Sequence, residues 1–493
     1  MAAGSASRNV PHAQLGKVKK LAFVVAILVS GSAVLYAQTN SAVRAWGPRD
    51  LGVRTGAPGA GGALPVTGDD RAQFDAGNAA FTEVDGVANG LGPRFNMNSC
   101  AGCHAYPAVG GTSPLVNPQF TVANGTNNKV PSFITSDGPV REARFKNAMN
   151  ASGQIISPVQ RDGGVHQLFT ISGRADAQGC GANTNVIAQP PFAAALAQNN
   201  VSFRIPTPIF GAGLIEAISD STILQSFTST GALRTSVGIG GHPNRQAVST
   251  TVSVQGNPNR NGNDGTISRF GWKAQNVSLT IFAGEAYNVE QGVTNELFMS
   301  ERDTEATPLP PGCYLNKLPE DHTHSGGSFA EVASDVTKFA VFMRFLAPPT
   351  PACDSFANPS NCPATVQSGR QAFNQAGCAL CHTPQLAVGP SYSAAIASQK
   401  TAQLFSDLLL HHMGSGLADG VTQGMAGDDE FRTAPLWGVG QRIFFLHDGR
   451  TKDLNVAIQE HASNGSKANQ VISRYNSLSL QQKQDLINFL RSL

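Results

Sequence analysis

The sequence predicts a mainly α-helical protein with long loops, built as two units of like design, the first carrying a large irregular insertion. Three observations predict it. The motif C-x-x-C-H occurs twice, at Cys100-Ala101-Gly102-Cys103-His104 and at Cys378-Ala379-Leu380-Cys381-His382. Each copy follows a segment whose apolar residues recur at helical spacing. Between the copies, residues 105–325 show only short apolar runs separated by Gly, Pro and Asn clusters, the mark of ordered loops.

The elements follow in order. Lys17, Lys19 and Lys20 precede an apolar run from Leu21 to Leu35, and Ala37 suits a cleavage site. Residues 1–37 therefore read as an export signal. An uncleaved membrane anchor is the alternative. Both place the body of the protein outside the cytoplasm, in the periplasm. Residues 38–68, rich in Gly, Ala and Pro, read as an arm or linker. A first domain is expected over 69–350. It opens with a helix from Asp69 to Val84, with Phe74, Gly77 and Phe81 on one face. Within the insertion, Ile205–Ile218 and Ser278–Leu297 are the most regular stretches. Phe329–Leu346 reads as a helix stopped by Pro348, Pro349 and Pro351. A second domain is expected over 364–493, with helices at Val366–Gln375, Leu404–Met413 and Leu454–His461. Its last helix starts at a capping box, Ser479 to Gln482, and aligns Leu486, Ile487, Leu490 and Leu493.

Composition limits the function. Charged residues make up 14% of the 493, and the net charge is +2. No basic run lies outside the N-terminus, which argues against a nucleic-acid partner. No other stretch is apolar enough to span a bilayer, so membrane contact rests on the N-terminus alone. Of eight cysteines, four lie in the motifs. The even remainder suggests disulfides in an oxidising compartment. Cys353 and Cys362, close together in a Pro/Asn-rich loop, are the favoured pair, followed by Cys180 with Cys313.

The motif has a chemical logic. Two thiols three residues apart on one turn can both reach the vinyl groups of one haem, and the next residue brings its imidazole under the iron. The other readings are a redox dithiol and half a zinc site, and zinc needs a second ligand pair at suitable spacing. Two motifs behind an export signal favour haem. Two covalent c-type haems are thus expected, held by Cys100, Cys103 and His104 and by Cys378, Cys381 and His382. A helix, the motif, loops and a final helix form the layout of a small c-type cytochrome domain. His461 shares a helical face with Leu454 and Ile458, so it points inward and is a candidate sixth ligand beside Met413 and Met425. Glu216 sits among apolar and Gly residues in Phe210–Ile218, where desolvation would raise its pKa and suit it to move protons. Glu285, Glu290, Glu296 and His166 are further candidates for that role. Asn257, Asn259, Asn261, Asn263 and Asp264 could ligate calcium, but they lack the Gly and final Glu of an EF-hand, so a solvated loop is the better reading. His322 and His324 read as surface residues.

Ordered blocks extend beyond the motifs. They include Gly90-Leu91-Gly92-Pro93, Phe203-Arg204-Ile205-Pro206-Thr207-Pro208 and Gly213-Leu214-Ile215-Glu216. Others are Arg269-Phe270-Gly271-Trp272-Lys273-Ala274-Gln275, Asn295-Glu296-Leu297 and Asp407-Leu408-Leu409-Leu410-His411. The last are Arg432-Thr433-Ala434-Pro435-Leu436-Trp437-Gly438 and His447-Asp448-Gly449-Arg450. In these the chain resembles bacterial di-haem oxidoreductases of the peroxidase type, also called thiol oxidoreductases, which are related to di-haem cytochrome c peroxidases. His412 departs from the pattern, where an acidic residue is expected. The resemblance implies that peroxide is reduced at the N-terminal haem with electrons from a periplasmic donor entering at the C-terminal haem. It also implies that Trp272 lies between the haems as an electron relay, and that His461, fourteen positions after His447, takes the place of the relatives' sixth ligand. The alternatives are an oxidase or oxygenase using dioxygen on an organic or protein substrate, and an electron carrier with both irons saturated.

Overall fold

The computed structural model describes residues 47–54, 60–125, 128–159, 161–181, 186–245, 253–254, 257–258, 267–302, 309–391 and 393–493. The export signal and most of the Asn-rich loop lie outside these residues. Among those described are fifteen α-helices and thirteen strands, the strands only two to four residues long. Helices carry the cores, and the strands pin loops in antiparallel pairs, such as Glu142–Phe145 against Val201–Arg204. No helix described is long and apolar enough to cross a membrane.

The chain builds one arrangement twice. Helix Gly68–Thr82 buries Phe74, Gly77 and Phe81, the face expected from spacing. It crosses helix Asp335–Phe345 with Gly77 against the Lys338 carbonyl, where a Cβ would stand 2.5 Å from that oxygen. Helix Ala364–Ala376 crosses the last helix, Leu480–Ser492, with Gly369 against the Asp485 carbonyl, which a Cβ would overlap. In each unit a motif follows the first helix, at Cys100 and at Cys378. The last helix has its capping box, Ser479 with Gln482.

Other elements differ from expectation. The stretch Phe329–Leu346 divides at Ser334, which caps the helix Asp335–Phe345. Leu404–Met413 is not a helix. It is extended, with left-handed residues at Phe405 and Leu408, and ends in the strand Leu410–His412. A short apolar run without periodicity reads alike as buried helix or strand, and burial of Leu404, Leu408, Leu409 and Leu410 on all sides accounts for it. Disulfides join Cys180 to Cys313 and Cys353 to Cys362, with Cα separations of 4.5 and 5.4 Å.

The largest core ignores the expected domain boundary. It joins Phe81, Leu214, Leu279, Phe339 and Phe342 to Leu404, Leu408, Leu409 and Trp437. A separate core packs Phe373 and Tyr475 with Leu486 and Phe489 near the second motif.

Candidate functional site

Each motif opens on a cavity. The first holds about 1240 Å³ of empty space, mouth included, and is lined by Cys100, Cys103 and His104. The second holds about 1520 Å³ and is lined by Cys378, Cys381 and His382, with His461 and Met413. All four motif cysteines are free thiols, whereas the other four are paired. Burial pushes the Cys378 thiol up to about 12 and raises Cys100 and Cys103 as well. A reactive dithiol requires the opposite shift. The direction at Cys100, Cys103 and Cys378 argues against a redox dithiol.

The histidines could serve as iron ligands. The His104 Nδ1 lies 3.1 Å from the Gly111 carbonyl, and the His382 Nδ1 lies 3.0 Å from that of Phe405. A carbonyl only accepts, so both Nδ1 atoms carry the proton and both Nε2 atoms keep a free lone pair. Burial lowers both residues to about 4, which keeps the rings neutral. His461 repeats the device, its Nδ1 donating to the Ala457 carbonyl at 2.8 Å. Its nearness depresses His382 further. The second cavity is thus lined by three histidines that burial keeps neutral, His382, His447 and His461, with His411 beside them, and the first by His104 alone.

The polar groups left over fit a haem. Arg432 and Arg442 line the second cavity. They donate to the carbonyls of Gly271 and Pro435, at 3.0 and 2.8 Å, and burial lowers both to about 10. Among the described residues neither meets a carboxylate. A buried cation needs a counter-charge, and the two propionates of a haem would supply it. In the first cavity Asn96 Nδ2, Arg144 Nε, Arg204 Nε and Gln291 Oε1 are buried without hydrogen-bond partners. Such groups are rare in a finished interior, and a polar-edged cofactor would answer them.

Trp272 belongs to the walls of both cavities, together with Ile205 and Pro206. Its indole N–H donates to the Ile205 carbonyl at 2.9 Å.

Glu216 is elsewhere. Its carboxylate accepts the Leu279 N–H and pairs with the Arg344 guanidinium, each at 2.9 Å, and it lines neither cavity. Its work is to cap the helix Leu279–Gln291. Of the other candidates, Glu296 accepts from Thr323, and His166 stacks on Phe145. Glu285 and Glu290 do line the first cavity. Burial first, then the nearby Glu142 and Glu285, push Glu290 up to about 8. Met425 is exposed, and His322 and His324 lie against each other at the surface. Sequence reasoning passed over Arg432 and Arg442, although both lie in or near a quoted block. Nothing local marks an arginine as lacking an acidic partner.

A family model described as "Di-haem oxidoreductase, putative peroxidase" matches residues 188–493. That span takes in the second motif, Trp272, Glu290 and His461, and the first motif precedes it. A diheme peroxidase of Burkholderia thailandensis is 16% identical, over 46% of this chain and 65% of that one, with a TM-score of 0.29. Hydrazine synthase of Kuenenia stuttgartiensis is 17% identical, over 32% of this chain and 55% of that one, with a TM-score of 0.21. The chain therefore spans between half and two thirds of the length of these structures. No curated protein matches.

Proposed function

The chain belongs to the di-haem oxidoreductase family, and from that membership we propose that it is an exported c-type enzyme that reduces hydrogen peroxide at the first cavity. A di-haem redox function follows from the family. The finer reading rests on the difference between the cavities. In the second, His382 and His461 would both be available to hold the iron of a bound haem, which would suit that haem to electron transfer. The first offers His104 and, in place of a second imidazole, the Glu290 carboxyl.

A haem bound at each motif supplies one-electron chemistry and, where a coordination position is open, a place for peroxide. The residues do the rest. Glu290 takes a proton from peroxide on a carboxylate oxygen and returns it to the departing oxygen as water forms. A carboxyl that titrates near the working pH does both. Glu285, in the same wall, supports Glu290 electrostatically. Trp272 gives electrons a short aromatic route between the cavities. The Ile205 carbonyl fixes its indole.

One observation favours a second reading, an electron carrier with both irons saturated: Met343 also lines the first cavity and offers a thioether. The purified holoprotein decides between them. The expected result is one high-spin and one low-spin ferric signal in EPR, cyanide binding at one haem only, and peroxide turnover. Two low-spin signals with no cyanide binding would establish the carrier. The haem reading itself is checked by replacing Cys100 with Cys103, or Cys378 with Cys381, by Ala. Each pair should cost one covalently bound haem.

A further inference from the structure

Asp407 and His411 lie on the buried segment that runs past the second motif, and His411 lines the second cavity. The His411 Nδ1 is 2.7 Å from the Gly240 carbonyl. A carbonyl cannot donate, so Nδ1 carries a proton. The Nε2 is 2.9 Å from Asp407 Oδ2. That same oxygen receives Arg234 Nη2 at 3.0 Å, and Asp407 Oδ1 receives the Leu409 N–H at 3.1 Å. Donors crowd both oxygens, so the carboxylate is ionised and Nε2 donates as well. An imidazole that donates from both nitrogens is a cation.

The charges do not cancel. Arg234 and His411 contribute two positive charges against one negative from Asp407. Their side chains are 1%, 3% and 0% exposed, so water screens them little. The ring is also fixed. A Cβ on Gly241 would stand 2.6 Å from its Cε1, and the Cys381 sulfur is 3.8 Å from its Nδ1.

We propose that His411 is a fixed cation built into the wall of the second cavity, where it raises the reduction potential of the haem held by Cys378, Cys381 and His382. The inference rests on reading that motif as a haem site. A ferric haem carries one more positive charge than a ferrous one, so a buried cation beside it disfavours the oxidised form. A methionine as sixth ligand raises the potential of a c-type haem. A site with two histidines forgoes that gain, and the His411 charge restores part of it.

The test is a spectroelectrochemical titration of the full-length holoprotein. In His411→Gln, the ferrous-to-ferric ratio of one haem at fixed ambient potential should fall at least about tenfold, a shift of about 59 mV for one electron. The other haem should not move, and both should stay covalently bound. His411→Lys keeps the charge and should restore most of the loss. A purely structural role would leave Lys no better than Gln. If His411→Gln sheds a haem, Arg234→Gln decides: it removes the second cation from the same carboxylate and should shift the same haem in the same direction. An unchanged or raised potential, or equal losses in the Gln and Lys variants, overturns the proposal. If replacing Cys378 and Cys381 by Ala costs no haem, the haem reading fails instead.

Discussion

At the scale of single residues, two glutamates have exchanged the roles that their local sequence suggests. Glu216 lies among apolar and Gly residues, yet its partners, Leu279 and Arg344, are 63 and 128 positions away. Glu290 has an unremarkable neighbourhood in sequence but faces a cavity beside Cys100. The burial of an acid is a property of the fold and cannot be read from adjacent letters. Glu290→Gln should slow peroxide turnover about 10²–10⁴-fold, with both haems and their spectra kept. Glu216→Gln should leave the rate unchanged and cost roughly 1–2 kcal/mol of stability, from a weakened helix cap and a partly exposed ion pair. Chemical denaturation and stopped-flow kinetics separate the two outcomes. Glu290 also sets a pH dependence. The folded protein keeps this proton up to about pH 8, whereas an unfolded chain releases it near about 4.3. Stability is therefore full below the lower value and falls as pH rises across that window. The Gln variant should lose less melting temperature than the parent between about pH 5 and 8.

At the scale of elements, periodic segments were legible and irregular ones were not. The helices near 68–82, 364–376 and 480–492 follow from their apolar stripes, and the last also from its capping box, because an amphipathic face leaves a regular imprint. The stretch 404–413 misled because Leu404, Leu408, Leu409 and Leu410 are buried on every side, so no periodicity remained to choose between helix and strand. The motif cysteines stand out by spacing and line the two cavities, and of the disulfides Cys353–Cys362 was legible from closeness, while Cys180–Cys313, 133 positions apart, followed as the remaining pair. The helix crossings give a sharp expectation. A Gly→Ala change inside a helix ordinarily gains up to about 1 kcal/mol. At Gly369 the new Cβ would overlap the Asp485 carbonyl, so Gly369→Ala should instead destabilise by about 1–3 kcal/mol. Urea unfolding measures the sign, and a stabilised variant would show that the two helices separate easily.

At the scale of the whole molecule, the two motif-bearing units are not independent. The sequence suggests a second domain over 364–493 because a helix, motif and final helix recur there. Its Leu404, Leu408, Leu409 and Trp437 nevertheless pack in one core with Phe81, Leu214 and Phe339. Cutting the chain near 364 would expose that surface. A fragment of residues 364–493 should therefore aggregate, or fail to retain haem, where the full chain does not. A soluble, monomeric, haem-loaded fragment in size-exclusion chromatography would show that the shared core is dispensable. The partition at Trp272 carries a further consequence for ancestry. One indole is wall to both cavities, so no substitution there alters a single site. A lineage that changes this indole meets both cavities at once, whereas the walls that they do not share can vary separately.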